Sequence, residues 1–152
     1  MKKLLFVCTG NTCRSPMAEA FGNHHADSMG VSAQVSFDSA GIAAFNGDPA
    51  NENASAVMSE LGLDLSEHKT KKLTPEMVSE YDLIYLLSDE YYSLIMDAYP
   101  NEKRKFRILG EGIEDPYGGD IDEYRVSGAV INMYVKDIVK SIKEDSVKFW
   151  GK

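Results

Sequence analysis

Lys3 to Cys8 (KLLFVC) is an apolar run without polar alternation. It breaks off directly into Thr9-Gly10-Asn11-Thr12-Cys13-Arg14-Ser15, and Pro16 then opens a helical pattern. Such a run leaves no face for water and reads as a strand buried on both sides. A proline suits the first helical turn, where a missing N–H costs nothing. Strand, short loop and helix in immediate succession commit the chain to helices crossing over a parallel sheet.

The rest of the chain repeats that alternation. Met17, Ala18, Ala20 and Phe21 start a helix that Gly30 can end in the left-handed conformation. Val31 to Ser39 reads as a second strand, closed by Ser39-Ala40-Gly41, and Asn46-Gly47-Asp48-Pro49 is turn chemistry. Asn51 to Leu61 is helical with Gly62 as its stop, and Thr74-Pro75-Glu76 opens a short helix to Glu80. Asp82 to Leu87 is a third strand, and Ser88-Asp89-Glu90 is expected to cap a helix to about Ala98. Lys105 to Leu109 is a fourth strand, followed by an irregular loop to Gly119. A long helix is expected from about Ile121 to Phe149, with Val126, Val130, Met133, Ile138 and Ile142 among its apolar positions. The expected fold is α/β: a three-layer, four-stranded parallel sheet flanked by helices on both faces, as one domain over 1–152. Ligands on such sheets bind beyond the carboxyl ends of strands at a switch point, and the loop after Cys8 lies there.

The loop has the chemistry of a phosphate cradle. Backbone N–H groups of Thr9, Gly10, Asn11, Thr12 and Cys13 can converge on oxyanions, and the Arg14 guanidinium can fork onto them. Cys8 at the base is the candidate nucleophile. Its thiolate is favoured by the amides, by the helix N-terminus and by Arg14. Ser15 can donate a hydrogen bond to that thiolate, and Asn11 can tie the loop to a neighbour. The net charge of -8 argues against nucleic-acid binding and leaves attraction for phosphate to these local groups. Two cysteines are too few for a disulfide scaffold, and a thiol nucleophile implies a reducing, cytoplasmic setting. No stretch approaches a membrane span, and the apolar run from Leu4 to Val7 is too short for a signal peptide.

VCTGNTCRSPMAEA resembles the N-terminal signature of the low-molecular-weight protein tyrosine phosphatase family. Matching stretches continue at Ser39-Ala40-Gly41, His68 to Thr74 (HKTKKLT), Tyr81-Asp82-Leu83-Ile84 and Asp115-Pro116. The resemblance implies a metal-independent phosphatase without cofactor, acting through a phosphocysteine on phosphorylated proteins, with inorganic phosphate as product and inhibitor. It implies Cys8 as nucleophile, Arg14 as phosphoryl-oxygen holder and an Asn11–Ser39 hydrogen bond that fixes the loop. Asp115 is implied as the acid that protonates the leaving atom and then the base that activates water. Tyr117 falls where the family carries cleft-lining aromatics. Cys13 is implied as a partner for a reversible disulfide with Cys8.

Thr12 bears on the substrate. Tyrosine-specific members usually carry a bulky aliphatic residue there, whereas a threonine resembles the bacterial protein-arginine phosphatase branch. A branched apolar side chain packs on an aromatic ring, and a shorter hydroxyl residue accommodates a guanidinium. Phosphoarginine is therefore the expected substrate, with phosphotyrosine as the alternative. A non-catalytic phosphate- or redox-sensing module is the alternative of another class. An arsenate reductase would need further cysteines, and none follows Cys13. His24, His25 and His68 fit no common zinc spacing and read as helix-surface or core contacts. Lys69, Lys71 and Lys72 read as a solvated face, and Asp120, Asp122 and Glu123 as charges at the start of the last helix.

Overall fold

The computed structural model describes residues 1–151. Strands β1 (Lys2–Cys8), β2 (Val35–Gly41), β3 (Leu83–Leu86) and β4 (Phe106–Ile108) form one sheet in the order β2-β1-β3-β4, with all pairings parallel. The chain steps from β1 to one side and then returns to pair β3 on the other. The carboxyl end of β1 is therefore the switch point, and Cys8 is its last residue.

The helices are α1 (Arg14–Ser28), α2 (Glu52–Glu60), α3 (Pro75–Glu80), α4 (Tyr92–Ala98), α5 (Ile121–Glu144) and α6 (Ser146–Trp150). They form layers on both faces because β1 alternates between two cores. Leu4, Phe6 and Cys8 face Met17 and Phe21 of α1, Val57 of α2 and Ile131 and Val135 of α5. Leu5 and Val7 face Val78 of α3 and Ile95 of α4. Leu4, Leu5 and Phe6 are fully buried. Each such side chain contributes roughly 1.5–3 kcal/mol, so the most buried strand also carries the candidate nucleophile.

Local signals explain most boundaries. Asn51 caps α2 by accepting from the N–H groups of Asn53 and Ala54, and Thr74 caps α3 by accepting from Met77 N–H. Gly30 and Gly62 end α1 and α2 with positive φ, as expected. Four expectations need correction. The second strand starts at Val35, because residues 31–34 close a turn in which Gln34 and Val35 N–H donate to Val31 C=O. Ser88-Asp89-Glu90 supplies no side-chain cap: Tyr91 is the N-cap of α4, and only the Asp89 backbone carbonyl takes part, accepting from Tyr92 N–H. The last helix is two helices, because Asp145 leaves helical φ/ψ and its carboxylate caps α6 by accepting from Lys148 N–H. Val126 and Met133 lie on the solvent side of α5 rather than in the core. Among the described residues no helix is long and apolar enough to cross a membrane.

Helix α1 sits close to β2 because Gly22 lacks a side chain. A Cβ there would lie 2.5 Å from Cγ of Phe37, whose ring stacks on Phe6 with centroids 5.8 Å apart. Gly22→Ala is therefore expected to destabilise the fold by about 1–3 kcal/mol through overpacking. Urea unfolding would show this as a lower midpoint with an unchanged slope.

Candidate active site

The loop between β1 and α1 is held in shape by one residue. Asn11 is fully buried and is the one non-glycine residue with positive φ among those described, at 59°. That conformation costs an L-residue about 1–2 kcal/mol. Every polar atom of Asn11 is bonded in compensation. Its backbone N–H points to Cys8 Sγ at 3.3 Å. Its Oδ1 accepts from Lys71 N–H at 3.0 Å, which fixes the amide orientation and turns Nδ2 towards two serines. Nδ2 donates to Ser15 Oγ at 2.9 Å and to Ser39 Oγ at 3.0 Å. With Asn11 donating to it, the Ser15 hydroxyl has one hydrogen to give, and of its two acceptors Cys8 Sγ at 2.8 Å is nearer than Ala40 C=O at 3.4 Å. The Asn11–Ser39 hydrogen bond is thus present, and Ser39 is fully buried.

Two residues read from sequence as ordinary surface or core groups also hold this loop. His68 Nε2 lies 2.8 Å from Asn11 C=O, and a carbonyl only accepts, so the ring carries its proton on Nε2. Burial holds its pKa below the usual histidine value, which favours that neutral form. Lys71 is not simply solvated: its N–H binds Asn11, and its ammonium pairs with Asp38 at 2.7 Å. The HKTKKLT stretch flagged the segment, but only the tertiary contact reveals which atoms matter. Gly41 closes the arrangement. A Cβ on it would lie 2.7 Å from Thr9 O and 2.8 Å from Asn11 N, so the end of β2 must be glycine for the loop to pass.

Arg14, 3% exposed, is the first residue of α1, and no side chain caps that helix. The N-terminal amides of α1 therefore remain available to an anion. Arg14 Nη1 donates to Ile113 C=O at 2.9 Å. Its Nη2 lies 3.4 Å from both Thr9 Oγ1 and Asp115 Oδ2. The guanidinium thus bridges the β1–α1 loop and the loop after β4. Asp115 has a half-exposed side chain whose Oδ1 accepts from Tyr117 N–H at 3.1 Å.

Cys8, Thr9, Gly10, Thr12, Cys13, Arg14, Asp115 and Tyr117 together line a cavity of about 200 Å³. The sequence-predicted residues therefore meet in one place, with Asn11, Ser15 and Ser39 behind the wall. Tyr117 is 73% exposed, at the mouth. Phe45 escaped the sequence reading. It is 80% exposed on the loop after β2, two positions beyond Ala43, whose N–H donates to Thr9 C=O. Cys13 Sγ lies 3.5 Å from Tyr124 Oη, and burial pushes its thiol pKa up, so it is held protonated. Cys8 and Cys13 are both free. Among the described residues no cluster of three or more histidine, cysteine or acidic side chains is placed to hold a metal ion. A thiol over an amide-lined loop, with an arginine and a carboxyl converging on the same small space, can accept a phosphoryl group and protonate what leaves.

The chain is similar to known proteins over nearly its whole length. The family model for low molecular weight phosphotyrosine protein phosphatase matches residues 3–148. The low molecular weight protein-tyrosine-phosphatase Ptp of Acinetobacter johnsonii is 36% identical, over 93% of this chain and 98% of its own length. The protein-arginine-phosphatase of Bacillus subtilis is 31% identical, over 93% and 97%. A solved mutant of the YwlE arginine phosphatase with a phosphorylated active site serine superposes with a TM-score of 0.88, at 30% identity, covering 94% of this chain and 97% of that one.

The knot around Asn11 sets a stability test. Asn11→Ala leaves Ser15, Ser39 and Lys71 N–H without their partner and keeps an unfavourable φ. It is expected to lose at least about 3 kcal/mol in urea unfolding. Asn11→Gly, free of the backbone strain, should recover only part of that loss.

Proposed function

The chain belongs to the low molecular weight phosphotyrosine protein phosphatase family, whose members are cysteine-based protein phosphatases, and on that premise we propose that it dephosphorylates protein phosphoarginine. The observation that carries the proposal is the shared 200 Å³ cavity of Cys8, Arg14, Asp115 and Thr12. In the first step the Cys8 thiolate attacks phosphorus, an S–P bond forms and the P–N bond breaks. Protonated Asp115 gives its proton to the departing guanidine nitrogen. In the second step Asp115 takes a proton from water as the oxygen attacks phosphorus. The S–P bond breaks, inorganic phosphate leaves, and the thiolate is restored with Ser15 donating to it. Arg14 and the loop amides hold the phosphoryl oxygens throughout. The phosphorylated active site serine in the YwlE mutant supports a covalent phosphoryl on this scaffold.

Thr12 on the cavity wall supports the guanidinium reading, because its short polar side chain leaves an aromatic ring little apolar surface to pack on. Phosphotyrosine is the second reading, favoured by the tyrosine-phosphatase relative at 36% identity and by the exposed Tyr117 at the mouth. The match over residues 3–148 supports one phosphatase domain. A reducing cytoplasmic location, inhibition by phosphate and oxidative protection of Cys8 by Cys13 complete the reading.

Side-by-side assays on phosphoarginine and phosphotyrosine peptides, with Cys8→Ser as the blank, test the substrate. The phosphoarginine peptide is expected to give the higher kcat/KM, and Thr12→Ile to move the ratio towards phosphotyrosine; equal ratios in parent and variant would refute the role of Thr12. Asp115→Asn is expected to lower kcat on the phosphoarginine peptide by about 100-fold or more, in the range of general acid catalysis. Phosphorus bonded to the Cys8 sulfur should be trapped by denaturant during turnover.

A further inference from the structure

Behind the loop, away from the cavity, α1 places Glu19 against β2. Its Oε1 accepts from Ser39 Oγ at 2.6 Å, a length typical of an O–H donating to a carboxylate. The direction is set by Asn11. Nδ2 of Asn11 can only donate, so Ser39 Oγ accepts from it and spends its own hydrogen on Glu19. A continuous chain results: Glu19 accepts from Ser39, which accepts from Asn11; the same amide donates to Ser15, which reaches Cys8 Sγ. We infer that Glu19 is a positioning residue for the phosphoryl-transfer loop: its ionised carboxylate locks Ser39 as the acceptor that holds Asn11, and so keeps the Ser15 hydroxyl aimed at the Cys8 sulfur. This rests on Cys8 being the nucleophile.

The surroundings make the lock responsive to protons in the working range. Burial pushes the Glu19 pKa up, and Asp38 on β2 adds to the rise. The Ser39 bond and the Lys71 charge oppose it, leaving the group at about 7. Lys71 itself pairs with Asp38 at 2.7 Å, and Asp38 also accepts from Tyr81 Oη at 2.6 Å. His24 and Asp27 from α1, and Asp64, Glu67 and His68 from the segment after α2, line the cleft into which Glu19 opens. Asn11 links this cleft to the nucleophile, since His68 bonds its carbonyl. Protonating Glu19 replaces a charge-assisted bond by a neutral one of roughly half the strength, and Ser39 is freed to turn.

The test is the pH profile of the parent-to-variant ratio. With p-nitrophenyl phosphate, Glu19→Gln is expected to lower kcat about tenfold at pH 8 with KM nearly unchanged. The two proteins should converge by pH 5.5, where the parent's carboxyl is already protonated, with the midpoint near 7. The rate at which iodoacetamide alkylates Cys8, followed by peptide mass spectrometry, should show the same convergence. Ser39→Ala cuts the chain one bond further on. It should reproduce the profile, with Glu19→Gln adding less than twofold in its background. A kcat ratio that does not change with pH, or losses that multiply in the double variant, would overturn the inference. If the Gln variant does not fold, the Ser39→Ala profile decides alone. Should the parent fail to hydrolyse p-nitrophenyl phosphate, the phosphatase reading fails, and the alkylation profiles still decide whether Glu19 acts on Cys8.

Discussion

The site depends on one amide. Asn11 sits in a left-handed backbone conformation that few residues other than glycine and asparagine adopt, and it is held there because a sheet edge, a helix and a distant loop each bind it. Ser39 belongs to β2, Ser15 to α1 and Lys71 to the segment beyond α2. Folding of the whole β1–α1–β2 unit is therefore a precondition for the geometry around the Cys8 sulfur. The strain at Asn11 is small beside the hydrophobic burial of β1 that surrounds it, which is why a reactive loop can be built at the end of the most buried strand.

Arg14 has a second structural task. Its guanidinium donates to the Ile113 carbonyl and approaches Asp115, so the group proposed to hold phosphoryl oxygens also orients the loop that carries the proposed acid. The two halves of the reaction, acceptance of phosphorus and protonation of what leaves, are registered to each other by that one side chain. Its near-complete burial keeps it out of competition with solvent and strengthens both contacts.

Much of this was legible in the chain alone, for physical reasons. The strand before Cys8 was visible because burial on both faces demands an unbroken apolar run. The caps at Asn51 and Thr74 and the stops at Gly30 and Gly62 were visible because each acts within a few residues of itself. What failed was also local in cause. Asp145 breaks the last helix through a competing side-chain bond, and a periodicity count has no sight of such a bond. The joining of Cys8, Arg14 and Asp115 in one cavity was expected from motif and topology. Glu19, His68 and Lys71 were not, because their value lies in single contacts with Asn11 or Ser39 across 20 to 60 residues of chain. Their stretches matched family sequence, but no local signal marks the individual contacts they make.

The Cys8 loop and the Asp115 loop are anchored differently. The Cys8 loop is woven into β2, α1 and the segment after α2, whereas the Asp115 loop is tied to the end of β3 by Ile113 N–H donating to Leu87 C=O at 2.6 Å, to α5 by Ser127 Oγ donating to Glu114 C=O at 3.4 Å, and to Arg14, and it carries positive φ at Gly110, Gly112 and Gly118. The two loops thus hang from different parts of the fold, the one from β2 and α1, the other from the end of β3 and from α5. Arg14 touches both, so a displacement of either loop is transmitted to the same guanidinium.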